Sequence, residues 1–96
     1  MRRVDNAYDL FMSGTRLLDH GDFHAAVVPL ARARDLEPDK ASVREALGRA
    51  LFCLGRSLQL QGRHAEARKP LALASCLRPE REDYSKYLGQ ARRRAA

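Results

Sequence analysis

The chain has 96 residues, of which 45% are hydrophobic and 31% charged, and a formal net charge of +6. A chain of this length makes one domain with a thin core, and no stretch approaches the roughly 18–20 apolar residues that a membrane span requires. Two cysteines, Cys53 and Cys76, are too few and too far apart for a disulfide scaffold.

The punctuation marks are Gly21, Pro38, Gly62 and Pro79, and between them apolar residues recur at steps of three and four, the spacing of one helix face. Strand signals are weak. The spacing predicts a first helix from Asn6 to His20, with the stripe Leu10, Phe11, Gly14, Leu17 and Leu18 and a cap at Asp5 or Asn6. Gly21 ends it. Asp22 is the expected cap of a second helix, Phe23 to Leu36, with the stripe Phe23, Ala26, Val27, Leu30, Ala33 and Leu36. Pro38 stops that helix, because the residue before a proline is pushed out of the helical region. A long third helix follows, capped by Asp39 and running to Gln61, about 22 residues or roughly 33 Å. Arg63 to Leu77 is the fourth helix. Glu82 to about Arg94 is the fifth, with acidic residues at its positive end and arginines at its negative end. Both cysteines are expected to be small packing residues, mostly buried, in a reducing compartment. The opening MRRVDNAYDL has no apolar run behind its arginines, so a cytoplasmic protein is expected.

Shifting the chain by 41 residues aligns 10–38 with 51–79, and twelve of the 29 positions are identical. The pairs include Gly14/Gly55, Gly21/Gly62, Pro29/Pro70 and Pro38/Pro79, together with Phe11/Phe52, Leu30/Leu71 and Ala33/Ala74. A mid-helix proline usually costs about 3 kcal/mol. The same cost at the same place in both segments points to common ancestry.

These residues resemble a tetratricopeptide repeat, a unit of two antiparallel helices in about 34 residues. In the first unit, about 7–40, the resemblance rests on Leu10, Ser13, Gly14, Leu17, Gly21, Phe23, Ala26, Leu30, Ala33 and Pro38. In the second, about 48–81, it rests on Leu51, Leu54, Gly55, Leu58, Gly62, His64, Ala67, Leu71, Ala74 and Pro79. The small residues Gly14, Ala26, Gly55 and Ala67 are expected where helices cross. Ser13 and His64 depart from the family's pattern. The period departs further: the Leu-Gly signature occurs at Leu47-Gly48 and again at Leu54-Gly55, seven residues apart. Seven residues are nearly two turns, so the apolar face survives the extension. The first half of the third helix is expected to pack on 7–36 and its second half on 63–77. The two units are then staggered and short of contacts with each other, and self-association by exchange of halves is expected.

The resemblance implies an all-α fold of antiparallel helical hairpins, a single solenoid domain over 1–96. Its parts are the two units, a helix extension at 41–47 and a capping helix at about 82–95. It implies a non-enzymatic protein-interaction module with no cofactor, binding a peptide or protein segment in a concave groove. Carried over by position, the groove residues are Tyr8, Phe11, Met12, Thr15, Arg49, Phe52, Cys53, Arg56, Gln59, Lys86, Tyr87, Gln90 and Arg93. Arginines interleaved with aromatics suit an acidic segment with apolar anchors. A subset of the family clamps a C-terminal carboxylate. The corresponding positions here hold Phe11, Thr15, Cys53, Asp83 and Tyr87, so that activity is not implied.

Other chemistries have weaker signals. His20, His24 and His64 with the cysteines lack the spacing of a metal site. No glycine-rich phosphate loop or nucleophile elbow occurs. Fifteen of the eighteen basic residues are arginine, and residues 48–96 sum to +7 against −1 for residues 1–47. The alternative is therefore a basic accessory protein that binds nucleic acid through its arginine-rich C-terminal half, including Arg92-Arg93-Arg94, with Arg2-Arg3 assisting. Nucleic acid is disfavoured because aromatic platforms and a helix-turn-helix pattern are missing.

Overall fold

The side chain of Asn6 accepts a hydrogen bond from the Asp9 amide at 2.8 Å and starts the first helix. In the computed structural model, which describes residues 6–95, the chain is all-helical. The elements are α1 (Ala7–Asp19), α2 (Phe23–Leu36), α3 (Ala41–Leu60), α4 (His64–Leu77) and α5 (Glu82–Ala95). Arg2, Arg3 and Asp5, considered above as basic contacts and as an alternative cap, lie outside the described residues.

The two glycine turns are the same structure. Gly21 and Gly62 have φ of +84° and +79°, a conformation glycine adopts without steric cost. The Gly21 amide donates to the Leu18 carbonyl and the Asp22 amide to Leu17, at 3.0 and 2.9 Å. Gly62 to Gln59 and Arg63 to Leu58 repeat the pattern at 2.9 Å each. This crossed pair satisfies carbonyls that the helix end leaves open. The far ends of α2 and α4 also match: Lys40 donates to Glu37, and Arg81 to Arg78, at 3.2 and 3.0 Å. Pro29 and Pro70 sit inside continuous helices. The carbonyls they leave without a helical donor belong to the exposed Ala25 and Glu66, where water can serve them.

Two expected caps are corrected. Asp22 occupies the cap position of α2 but makes no side-chain cap bond, because its ψ of 69° turns it away from the extended geometry capping needs. Asp39 is not the cap of α3. It lies in the turn closed by Lys40 and Glu37, and Lys40 takes the cap position without a side-chain bond.

The helices pack in sequence, each on the next, and α1 and α5 both also touch α3. The assembly is elongated, 50 × 25 × 18 Å, with a radius of gyration of 13.7 Å against roughly 12–13 Å for a compact chain of this length. Gly14 of α1 faces Leu30 of α2, and Gly55 of α3 faces Leu71 of α4, in both cases so closely that a Cβ would overlap the leucine. Ala26 and Ala67 are fully buried beside these crossings.

The two units, expected to be short of contacts with each other, meet in a shared cluster on α3 although α2 and α4 stay apart. Leu18, Ala26 and Leu30 share one core with Ala46, Leu47, Ala50 and Leu51 of α3, Ala74 of α4 and Tyr84 of α5. Ala46, Leu47, Ala50 and Leu51 are therefore buried between residues of α2 and α4, while Arg49 among them is exposed. No Cα of α2 comes within 8 Å of one in α4. A cleft of about 220 Å³ opens between them, lined by Val27, Ala31, Leu47, Leu51, Leu73 and Leu77, with Arg34 and Cys76 at its edge. Leu36, expected in the stripe of α2, is 54% exposed because it sits on the last turn, beyond the reach of α1. Cys76 is exposed and Cys53 half-buried, so neither is the buried packing residue expected.

Candidate functional site

Along α3, Arg49, Phe52, Cys53, Arg56 and Gln59 recur at steps that keep one face of a helix. Two aromatic residues of α5, Tyr84 and Tyr87, three apart on one face, meet them. The Phe52 ring stacks on Tyr84 with centroids 4.6 Å apart and tilts against Tyr87 at 5.6 Å. The guanidinium of Arg56 lies 4.0 Å from the Tyr87 ring centre. Its Nη1 donates to Gln59 Oε1 at 2.9 Å, and Gln59 Nε2 donates to the Tyr87 carbonyl at 3.0 Å. Lys86 Nζ lies 5.8 Å from the same ring. Phe52, Arg56, Gln59, Tyr87 and Lys86 thus form one cluster across α3 and α5.

Tyr84, absent from the expected set, is the anchor of this cluster. It is 1% exposed, and its Oη is buried without a hydrogen-bond partner among the described residues. Burial pushes its phenol pKa up, with Arg81 opposing. Arg81 lies 4.6 Å from the Tyr84 ring centre and is paired to Asp83 at 2.8 Å, which holds the Asp83 carboxyl below its usual range. The Asp83 carboxylate also accepts from the Tyr84 amide at 3.1 Å, which fixes the start of α5. The sequence signal for Tyr84 was its place one turn before Tyr87. Burial raises the Cys53 pKa, and the charge of Arg49 partly offsets this.

The α1 residues are held apart from the cluster. Phe11 is half-buried and packs beside Leu10, Ala33 and Val43. Tyr8 is 70% exposed, Met12 is exposed, and Thr15 Oγ1 donates to the Met12 carbonyl at 3.1 Å. Tyr8 and Phe11 line a separate pocket of about 260 Å³ with Glu37, Lys40 and Val43. Gln90 is half-buried and Arg93 exposed, and no polar contact ties either to the cluster among the described residues. The expected set therefore divides into an α3–α5 cluster, an α1 group, and two α5 positions apart from both.

The acidic residues of α3 and α5, Glu45, Glu82 and Asp83, lie near the starts of these helices. No Asp or Glu occurs between Ala46 and Leu60 or between Tyr84 and Ala95. Among the described residues, Arg49, Arg56 and Lys86 have no carboxylate partner, whereas Arg63, Arg78 and Arg81 are paired to Glu66, Glu80 and Asp83. The described residues include no group of three or more His, Cys, Asp or Glu placed to hold a metal ion. No described helix is long and apolar enough to cross a membrane. No protein-family model, characterised protein or solved structure matches the chain.

Proposed function

We propose that the chain is a tetratricopeptide-type helical repeat acting without catalysis as a cytoplasmic protein-interaction module. Its units are 7–40 and 48–81, with an extension at 41–47 and a capping helix at 82–95. The repeat reading is supported by the 41-residue step, at which glycine turns, helix ends and glycine–leucine crossings all recur. Binding lies on the faces of α1, α3 and α5, and the partner is a peptide or protein segment with acidic and apolar features.

One observation carries the binding reading: Arg56 and Lys86 stand against the Tyr87 ring without a carboxylate partner among the described residues, and Arg49 lies on the same face of α3. A charged group left without a counter-charge in a fixed place suits an external anion. The test is backbone amide chemical-shift mapping with peptides selected from a random display library. Shifts are expected on α1, α3 and α5. A footprint on α2 and α4 overturns the reading. Self-association across α3 belongs to the same proposal, and sedimentation showing only monomer at high concentration excludes it.

A second reading has its own observation. Arg68, Lys69 and Arg92 border a shallow depression of about 370 Å³ floored by Ala65, Ala72 and Leu88. These cations suit a nucleic-acid backbone. Such binding falls steeply between about 50 and 200 mM salt, whereas anchoring by aromatic and aliphatic groups falls less.

A further inference from the structure

Gln59 is the only buried polar residue among the described ones, at 8% exposure. Its counterpart 41 residues earlier is Leu18, a core side chain at 5% exposure. The two occupy the same backbone position: Leu18 accepts from Gly21, and Gln59 from Gly62, in matching turns. The site therefore accommodates leucine, and leucine avoids the cost of burying an amide. In the second unit the amide is used at both ends. Oε1 accepts from Arg56, and Nε2 reaches the backbone of α5, 28 residues along the chain. Arg56 itself replaces Thr15 of the first unit, whose hydroxyl is bonded to its own helix.

Together these changes hold a guanidinium still. Tyr87 supports one face of Arg56 at 4.0 Å, Gln59 takes one of its donors, and no carboxylate neutralises it. A guanidinium has five N–H donors in a rigid plane. A planar group lying on a ring keeps its remaining donors at the edge, the geometry that receives a carboxylate through two parallel bonds. Arg49, two turns away on the same helix, and Lys86 on α5 add positive charge around it.

We infer that Arg56 is the seat for an Asp or Glu side chain of the bound peptide, and that Gln59 is the residue that positions it. This rests on the groove reading and adds the anchor's chemistry to it. A nucleic-acid backbone fits less well. Phe52 and Tyr84 stack on each other, Tyr84 is buried, and Arg56 lies over the Tyr87 ring, so these rings offer little platform for bases. The cations are separated by Phe52 and Cys53 rather than contiguous.

The test selects random dodecapeptides on the wild-type protein. It then measures each winner with its acidic residues changed singly to amides, on wild type, R56Q, Q59L and Q59E. Wild type is expected to lose about tenfold or more in affinity for one acid-to-amide change, and R56Q is expected to be indifferent to that change. Q59L, which restores the residue of the first unit, should fall to the R56Q level while melting no lower than wild type. Q59E should do the same by neutralising Arg56 in place. The Arg56 Nε–H resonance should shift with the acidic peptide and not with its amide twin. Winners without acidic residues, or an amide effect of equal size on wild type and R56Q, overturn the seat. The groove reading survives that result if amide shifts still map to α1, α3 and α5. A footprint elsewhere, or no selected peptide, defeats both. A phosphoserine version binding more than tenfold tighter, or displacement of the peptide by oligouridylate at equal concentration, reassigns the seat to phosphate and overturns the carboxylate.

Discussion

The Cγ of Leu71 lies 2.5 Å from the point that a Cβ on Gly55 would occupy. The Leu71 side chain fills the space the glycine leaves, so α3 and α4 approach there with only that one side chain between their backbones. Leu30 repeats the arrangement on Gly14. Alanine is the better helix former by about 1 kcal/mol, but overpacking costs about 1–3 kcal/mol, and a fully buried leucine branch point has nowhere to move. G14A and G55A are expected to destabilise by up to about 2 kcal/mol in urea melts. Gly48 is the contrast: its nearest neighbour is Arg78 Cγ at 3.1 Å, part of a long, adjustable side chain. G48A should be neutral or stabilising, and an equal loss at all three positions would refute the crossing argument.

Gly21 and Gly62 make a separate prediction. Nothing lies within 4 Å of a Cβ at either, so space is not the constraint. Their positive φ costs an L-residue about 1–2 kcal/mol. G21A and G62A should each lower stability by about that amount, and equally, because their turns share the same bonds. D-alanine at either position, introduced by chemical ligation, should restore it.

Phe52 packs against both main core clusters, one built on Leu18, Leu30 and Leu47 and the other on Leu71, Leu88 and Ala91. Truncating a large aromatic core residue typically costs about 3–5 kcal/mol. F52A should therefore be lost to folding before it reports on binding, with α5 exchanging its amide protons first. If F52A keeps wild-type stability, the ring is a surface contact and the account of the cluster fails. Arg56 and Gln59 substitutions are the ones that separate binding from folding.

Alkaline pH acts on the same cluster. Burial raises the Cys53 and Tyr84 pKa values, so the folded state favours the protonated form of each. Their contribution is fully present below the ordinary values of about 8.5 and 10. It is lost as pH rises through the raised folded values. The melting temperature should be flat from pH 6 to 8 and fall above about 9. C53A should delay the onset of the fall, leaving Tyr84 to govern it. An unchanged profile in C53A would show that the thiol plays no part.

Five helices, their ends and the duplication were legible in the residues alone. Glycine turns, proline stops and three-to-four periodicity are local properties, set within a turn or two of backbone. The caps at Asp22 and Asp39 misled because capping depends on backbone geometry: Asp22 has a ψ of 69° rather than an extended one, and Lys40, not Asp39, takes the cap position of α3. The glycine–leucine crossings were legible too, since small residues at matched spacing permit close approach wherever they occur.

The cluster itself was only half legible. Phe52, Arg56, Gln59 and Tyr87 were named by position, but Tyr84 was missed, and the α1 residues expected beside them stand apart. Which side chains meet across 28 residues depends on how α5 is rotated and how far α4 is offset along α3. The residues by themselves determined the helices and the repeated turns. Only the tertiary structure decided that residues of both units meet in one cluster on α3, that α2 and α4 part to leave a cleft, and that a buried glutamine bonds Arg56 beside Tyr87. The physical reason is range: turns and helix faces follow from neighbours in sequence, whereas burial and the pairing of charges follow from which faces pack.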